Sequence, residues 1–322
     1  MIQRYQWELA VFAAWLVMLV LLAIFAPGFY SRDQFRAVLV NSAPVVVAAT
    51  GITLVMLAGQ IDISIGSLFS LCGVVAGLVV EAGWPLTAAA ALALSCGALV
   101  GALNGALVAV LRLPAIVVTL STLVALREGL RYFHEGRSIS LLPDDFQWFG
   151  LSQTTGQWLI VGTAAAVALV AAWGLANLGG GRAIYATGSD AEAARLVGIR
   201  PRRIVFGVFV SSGVLAALAA LLNDVRFAVV DPNAGNGLEM QSIAAVVVGG
   251  TAVNGGRGTI FGTVFGVLLL ATIGPALEFL HIEAHWERAI QGAVILAAVS
   301  LAGRPPRASP AGATINSQGR PA

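Results

Sequence analysis

The chain contains no lysine: all eighteen of its basic residues are arginine. A P-loop needs a lysine on the nucleotide phosphates, and a Schiff-base enzyme needs one as its nucleophile, so both chemistries are excluded from this polypeptide. Charge of either sign is scarce, at 11 % of 322 residues, and the net charge is only +2. The arginines collect at loops rather than in a stripe interleaved with aromatics, which gives nucleic-acid binding no support. Cysteine is limited to Cys72 and Cys96, each inside an apolar run. Free thiols in that setting act as small buried hydrophobes, so neither a disulfide framework nor a metal site is expected from them.

What is abundant is hydrocarbon. Hydrophobic residues make up 58 % of the chain and the mean hydropathy is +0.88, a composition that excludes a water-soluble globule and marks an integral membrane protein. Ten apolar runs can be read, near 8–26, 38–58, 65–80, 86–111, 115–130, 158–178, 204–222, 240–253, 259–280 and 286–301. Most suffice for a hydrocarbon core of about 30 Å at about 1.5 Å per residue, and two are short. The first lacks a small-x-small cleavage site and reads as an uncleaved helix rather than a signal peptide. The fold class expected is all-α and polytopic, a single transmembrane domain over 1–303 with about ten helices, two of them interrupted or short, and a possible internal repeat. The Pro-, Ala-, Gly- and Ser-rich tail 304–322 is expected to be disordered.

One water-loving island stands in the middle, Gly181 to Arg203, with five of the arginines. Ser189-Asp190-Ala191-Glu192 has the spacing of a capping box and Gly198 can stop a helix, so a helix of about eight residues is expected. So short a helix needs a surface to pack on. It offers Ala193, Leu196 and Val197. Two readings follow: a capped loop between membrane helices, or a docking helix for a cytoplasmic partner. Taken as the most basic loop, the island should be cytoplasmic, and six spans before it with four after it put both termini inside. Arg127, Arg131 and Arg137 conflict with this, since parity places the segment 134–157 outside.

Two stretches break the apolar pattern, Ala58 to Ser67 (AGQIDISIGS) and Gly249 to Thr259 (GGTAVNGGRGT). Each places glycines, an amide and a charge where a helix would continue. Irregular backbone at membrane depth requires protein or a water-filled cavity to satisfy it, and matched interruptions in two halves point to a transport pathway; tight interhelical turns at the bilayer surface are the other reading. Asp62 and Arg257 are the candidate charges for such a route. Asn104, within Gly101 to Gly105, and the group Thr119, Ser121 and Thr122 add polar atoms among small residues that permit close helix approach. His281 and His285 stand four apart, but Glu283 does not directly follow the first histidine as HExxH requires, which argues against a metalloprotease.

Together these motifs resemble the permeases of bacterial sugar ABC importers of the ribose, rhamnose and autoinducer-2 group. Gly59 to Ser67 (GQIDISIGS) is similar to the GGIDLSVGS signature of that group. The likeness continues through Gly101 to Gly105, the run from Pro114 to Leu120, Arg182 to Ser189, Glu192 to Ile199, Ile243 to Thr251 and Gly255 to Thr259. Gln60 and Ser121 depart from it, where glycines are usual. The resemblance implies a non-catalytic subunit of the bacterial plasma membrane, paired with a second permease copy or a paralogue, fed by a periplasmic sugar-binding protein at 134–157 and 223–239, and driven by a cytoplasmic ATP-binding subunit that carries ATP and Mg. The chain itself would bind no cofactor and no metal. Asp62, Ser64, Asn104 and Arg257 would lie near the route. Ser189, Asp190, Glu192, Ala193, Ala194, Arg195 and Gly198 would form the coupling surface, with Glu192 and Arg195 as its polar contacts. An ion-coupled secondary transporter is the competing class, and it would need no docking helix.

Overall fold

The structure, a computed structural model, describes residues 2–302 apart from 141 and 284; the tail 304–322 lies outside the described residues. In chain order the helices are α1 (Ile2–Phe25), α2 (Arg32–Leu57), α3 (Ile65–Glu81), α4 (Leu86–Ala109), α5 (Ala115–His134) and α6 (Gln153–Asn177). They continue as α7 (Gly179–Ser189), α8 (Ala191–Leu196), α9 (Pro201–Asp224), α10 (Leu238–Val248), α11 (Ile260–Phe279) and α12 (Trp286–Ala302). No strand occurs among the described residues, only an isolated antiparallel bridge between Ile139 and Val230. Each of the ten apolar runs is a helix, and α7 and α8 fill the basic island. This is an all-α polytopic membrane protein: among the described residues six helices are long and apolar enough to cross a bilayer, with α3 and α10 shorter apolar helices between them.

Local chemistry sets several helix starts. Ser31 accepts from Gln34 N at 3.2 Å to cap α2, and Ser152 accepts from Thr155 N at 3.3 Å to cap α6. Pro201 opens α9, where its missing N–H costs nothing. Of the apolar 18-residue stretch in α2, 78 % is buried, against 11 % in α1 and 22 % in α6. So α2 is the central post, while α1 and α6 turn most of their surface outward to lipid.

The tightest packing joins α4 to α9. A Cβ added to Gly97 would lie 2.3 Å from Gly213 O, one on Gly101 2.5 Å from Phe209 O, and one on Gly213 2.1 Å from Gly97 O. Glycines four residues apart on α4 thus let two backbones touch. In hydrocarbon, where no hydrophobic drive separates protein from solvent, such contact is a main source of helix association. Across the post, the hydroxyls of Thr53 and Thr263 meet at 2.7 Å and tie α2 to α11.

The two histidines do not share a helix face. His281 has a positive φ of 54° in the turn after α11, and α12 begins only at Trp286.

Candidate translocation site and coupling surface

Asp62 is the centre of a directed hydrogen-bond chain. Its Oδ1 accepts from Ser64 N at 2.9 Å and Ser64 Oγ at 2.6 Å, and its Oδ2 accepts from Ser212 Oγ at 3.2 Å. Asn104 Nδ2 donates to Ser64 Oγ at 3.0 Å, and Thr122 Oγ1 donates to Asn104 Oδ1 at 2.7 Å. Every donor points towards the carboxylate, so one acceptor organises residues from the first break, α4, α5 and α9. Asp62 is 2 % exposed and Asn104 1 %. A charge at bilayer depth costs about 2.5–3.5 kcal/mol on insertion scales, and hydrogen bonds to a charged group contribute about 1.5–3 kcal/mol each, so three donors suffice to hold it there.

Ser212 stands halfway along α9, which places Asp62 and the start of α3 near mid-span rather than at a membrane face. The start of α10 is at the same level. A Cβ on Gly66 would lie 2.6 Å from Gly235 O, one on Gly235 1.9 Å from Gly66 O, and Gly235 N donates to Ser70 Oγ at 3.0 Å. Arg127 from α5 donates to Glu239 Oε1 at 3.1 Å beside this contact, with Glu239 8 % exposed at its side chain. The amino ends of the two short helices therefore meet inside the protein. Between α9 and α10 the chain runs inward through 225–237 without regular structure.

This arrangement corrects the pairing of breaks expected from sequence. The interruption that matches Ala58 to Ser67 is 225–237, which runs in from the far end of the bundle to meet Gly66 at Gly235, not Gly249 to Thr259. The latter closes the end of the bundle that bears the basic island. Gly256 N donates to Leu57 O at 3.0 Å, and a Cβ on Gly188 would lie 1.9 Å from that same Leu57 O. Tyr185 Oη donates to Gly258 O at 2.8 Å. The end of α2, the end of α7 and the turn 249–259 thus interlock backbone to backbone. Arg257 is exposed at this end and does not join Asp62, Ser64 and Asn104.

In the island the cap is Asp190, not Ser189. Asp190 Oδ1 accepts from Glu192 N at 2.9 Å and Ala193 N at 3.0 Å, while Ser189 is the last residue of α7. The carboxylate reaches both amides, and the Glu192 side chain turns to Arg195 at 3.4 Å instead of closing a capping box. The resulting α8 has six residues, shorter than the eight expected. It stops where Gly198 takes a φ of 84° and donates to Arg195 O. Ala194 packs inward at 3 % exposure, whereas Leu196 and Val197 stand out at 86 % and 75 %.

At the opposite end the segments 134–157 and 223–239 come together: Ile139 and Val230 exchange both backbone hydrogen bonds, at 2.9 and 3.0 Å, and Trp148 N donates to Val225 O at 2.7 Å. Arg226 there contacts Asn41 Oδ1 on α2.

Sequence reasoning missed Ser212 and the Arg127–Glu239 pair. Ser212 sits in an apolar helix with no local signal. Arg127 carried one, because α5 bears Arg127, Glu128 and Arg131 within a helix of membrane-spanning length.

Residues 35–299 match the family described as branched-chain amino acid transport system / permease component. The autoinducer 2 import system permease protein LsrC of Yersinia pseudotuberculosis (serotype O:1b) is 37 % identical over 293 residues, covering 90 % of this chain and 82 % of the relative. The protein of the same name from Photorhabdus laumondii is 35 % identical over 303 residues, covering 92 % and 89 %. No solved structure matches.

Proposed function

On the premise that this chain belongs to the branched-chain amino acid transport permease family, we propose that it is the membrane subunit of an ATP-driven importer for a monosaccharide or sugar-like solute of the autoinducer-2, rhamnose or ribose type. The observation that carries this is the interlock at the basic end. A six-residue helix, with Leu196 and Val197 exposed at its end, follows directly on the end of α7, and that end is packed backbone to backbone against the end of α2 and the turn 249–259. A push on α8 passes through the end of α7 to α2 and so to the first break, since rigid packed elements transmit displacement.

Under this reading the basic end is cytoplasmic, both termini with it, and an ATP-binding subunit seats on α8 through Leu196 and Val197, with Glu192 and Arg195 at the rim. That subunit carries ATP and Mg. Asp62, Ser64 and Asn104 act by position: they set the amino end of α3 at mid-span beside the route. The joined segments 134–157 and 223–239 receive a periplasmic binding protein, and a second copy or paralogue completes the pore.

Co-purification tests the interface. The ATP-binding subunit is expected to be retained by the wild-type chain and lost on Leu196→Asp with Val197→Asp, at unchanged melting temperature of the permease. Equal retention by that variant contradicts the reading.

A further inference from the structure

A cavity of about 310 Å³ opens at the basic end between the start of the α1 span, α7 and the turn 249–259, with Trp7, Glu8, Tyr185 and Arg257 on its walls. The walls are fixed. Trp7 Nε1 donates to Val248 O at 3.0 Å, Tyr185 Oη to Gly258 O at 2.8 Å, and Thr259 Oγ1 to Glu8 Oε1 at 2.8 Å. Two charges remain available. The Arg257 guanidinium has no hydrogen bond or ion pair among the described residues, and the Glu8 carboxylate uses only Oε1. Although they line one cavity, the two do not pair with each other, so the site presents a separated cation and anion.

Its depth identifies what can reach it. Trp7 begins a span of which only 11 % is buried, so the cavity borders lipid at the level where an interfacial tryptophan and headgroups reside. A phosphodiester suits the planar guanidinium fork of Arg257, and a primary ammonium can donate to the free Glu8 oxygen. We propose that this cavity holds the phosphoethanolamine headgroup of a membrane phospholipid. The wall turn is bonded to Leu57 and abuts Ser189, where a Cβ on Gly256 would lie 2.2 Å from Ser189 Oγ, so an occupied cavity braces the surface leading to α8. The inference concerns the chain alone and does not depend on the importer reading.

The test is native mass spectrometry and thermal melting of the detergent-purified full chain with phosphatidylethanolamine, phosphatidylcholine, phosphatidylglycerol or soluble glycerophosphoethanolamine. Phosphatidylethanolamine is expected to bind best and raise the melting temperature. Glu8→Gln and Arg257→Gln are each expected to weaken it about tenfold, the loss of one charge-assisted hydrogen bond; Arg257→Lys keeps part of the affinity. Phosphatidylglycerol or phosphatidylcholine binding as well as phosphatidylethanolamine overturns the zwitterion assignment, and equal binding of the soluble headgroup overturns the lipid source. Variants that bind like wild type overturn the site.

Discussion

Ser212 Oγ donates to Asp62 Oδ2 at 3.2 Å across 150 residues of chain, and this contact sets the depth of the first break. Halfway along α9, a serine meets the carboxylate that also holds the amino end of α3. Ser212→Ala is expected to destabilise the protein by about 1.5–3 kcal/mol, the worth of a hydrogen bond to a charged group. Asp62→Ala should cost more, because the buried Ser64 and Ser212 then lose a shared acceptor. Melting in detergent checks both, and equal melting temperatures for wild type and Asp62→Ala would refute the network.

Two glycines of one helix should respond in opposite directions. Gly213 of α9 touches α4, while a Cβ on Gly207 meets nothing within 4 Å. Gly213→Ala should destabilise by about 1–3 kcal/mol through overpacking. Gly207→Ala should stabilise by about 0.5–1 kcal/mol by restricting the unfolded chain. The two melting curves should flank that of wild type.

Arg127 and Glu239 form a partly buried pair where α5 meets the start of α10. Arg127→Met leaves a carboxylate unpaired inside the protein and should cost about 3–5 kcal/mol, whereas replacing both partners with methionine should recover most of it. A double-mutant cycle on melting reads the coupling, and additive losses would show that the pair does not fasten α10.

The α8 surface should separate folding from function. Leu196 and Val197 are exposed, so their replacement by aspartate should leave stability within about 0.5 kcal/mol. Ala194→Leu, at a buried position on the same turn, should instead lower the melting temperature by overpacking. Melting curves of the two variants discriminate the outer from the inner face.

Helices were legible in the sequence because apolar length is a one-dimensional property. All ten runs from 8–26 to 286–301 became helices, and the resemblance carried by Gly59 to Ser67 and Gly255 to Thr259 led to the right family. What was not legible needed depth or partners. Gly249 to Thr259 looked like the match of the first break because both are glycine-rich with one charge. Their depths differ, since Asp62 meets the middle of α9 while Gly256 meets the end of α2. The true counterpart, 225–237, hid its interruption among ordinary loop residues. At the island, composition located the short helix, yet two adjacent capping residues, Ser189 and Asp190, could not be ranked without knowing that α7 runs through the first.

The most direct measurement is ATP hydrolysis and solute uptake by proteoliposomes containing the chain, its ATP-binding subunit and a solute-loaded binding protein. Hydrolysis is expected to need the ATP-binding subunit, to rise with the loaded binding protein and drive uptake, and to collapse when Leu196 and Val197, or Glu192 and Arg195, are replaced. Uptake by the chain alone on a proton or sodium gradient, indifferent to those replacements, would contradict it and make the protein a secondary transporter.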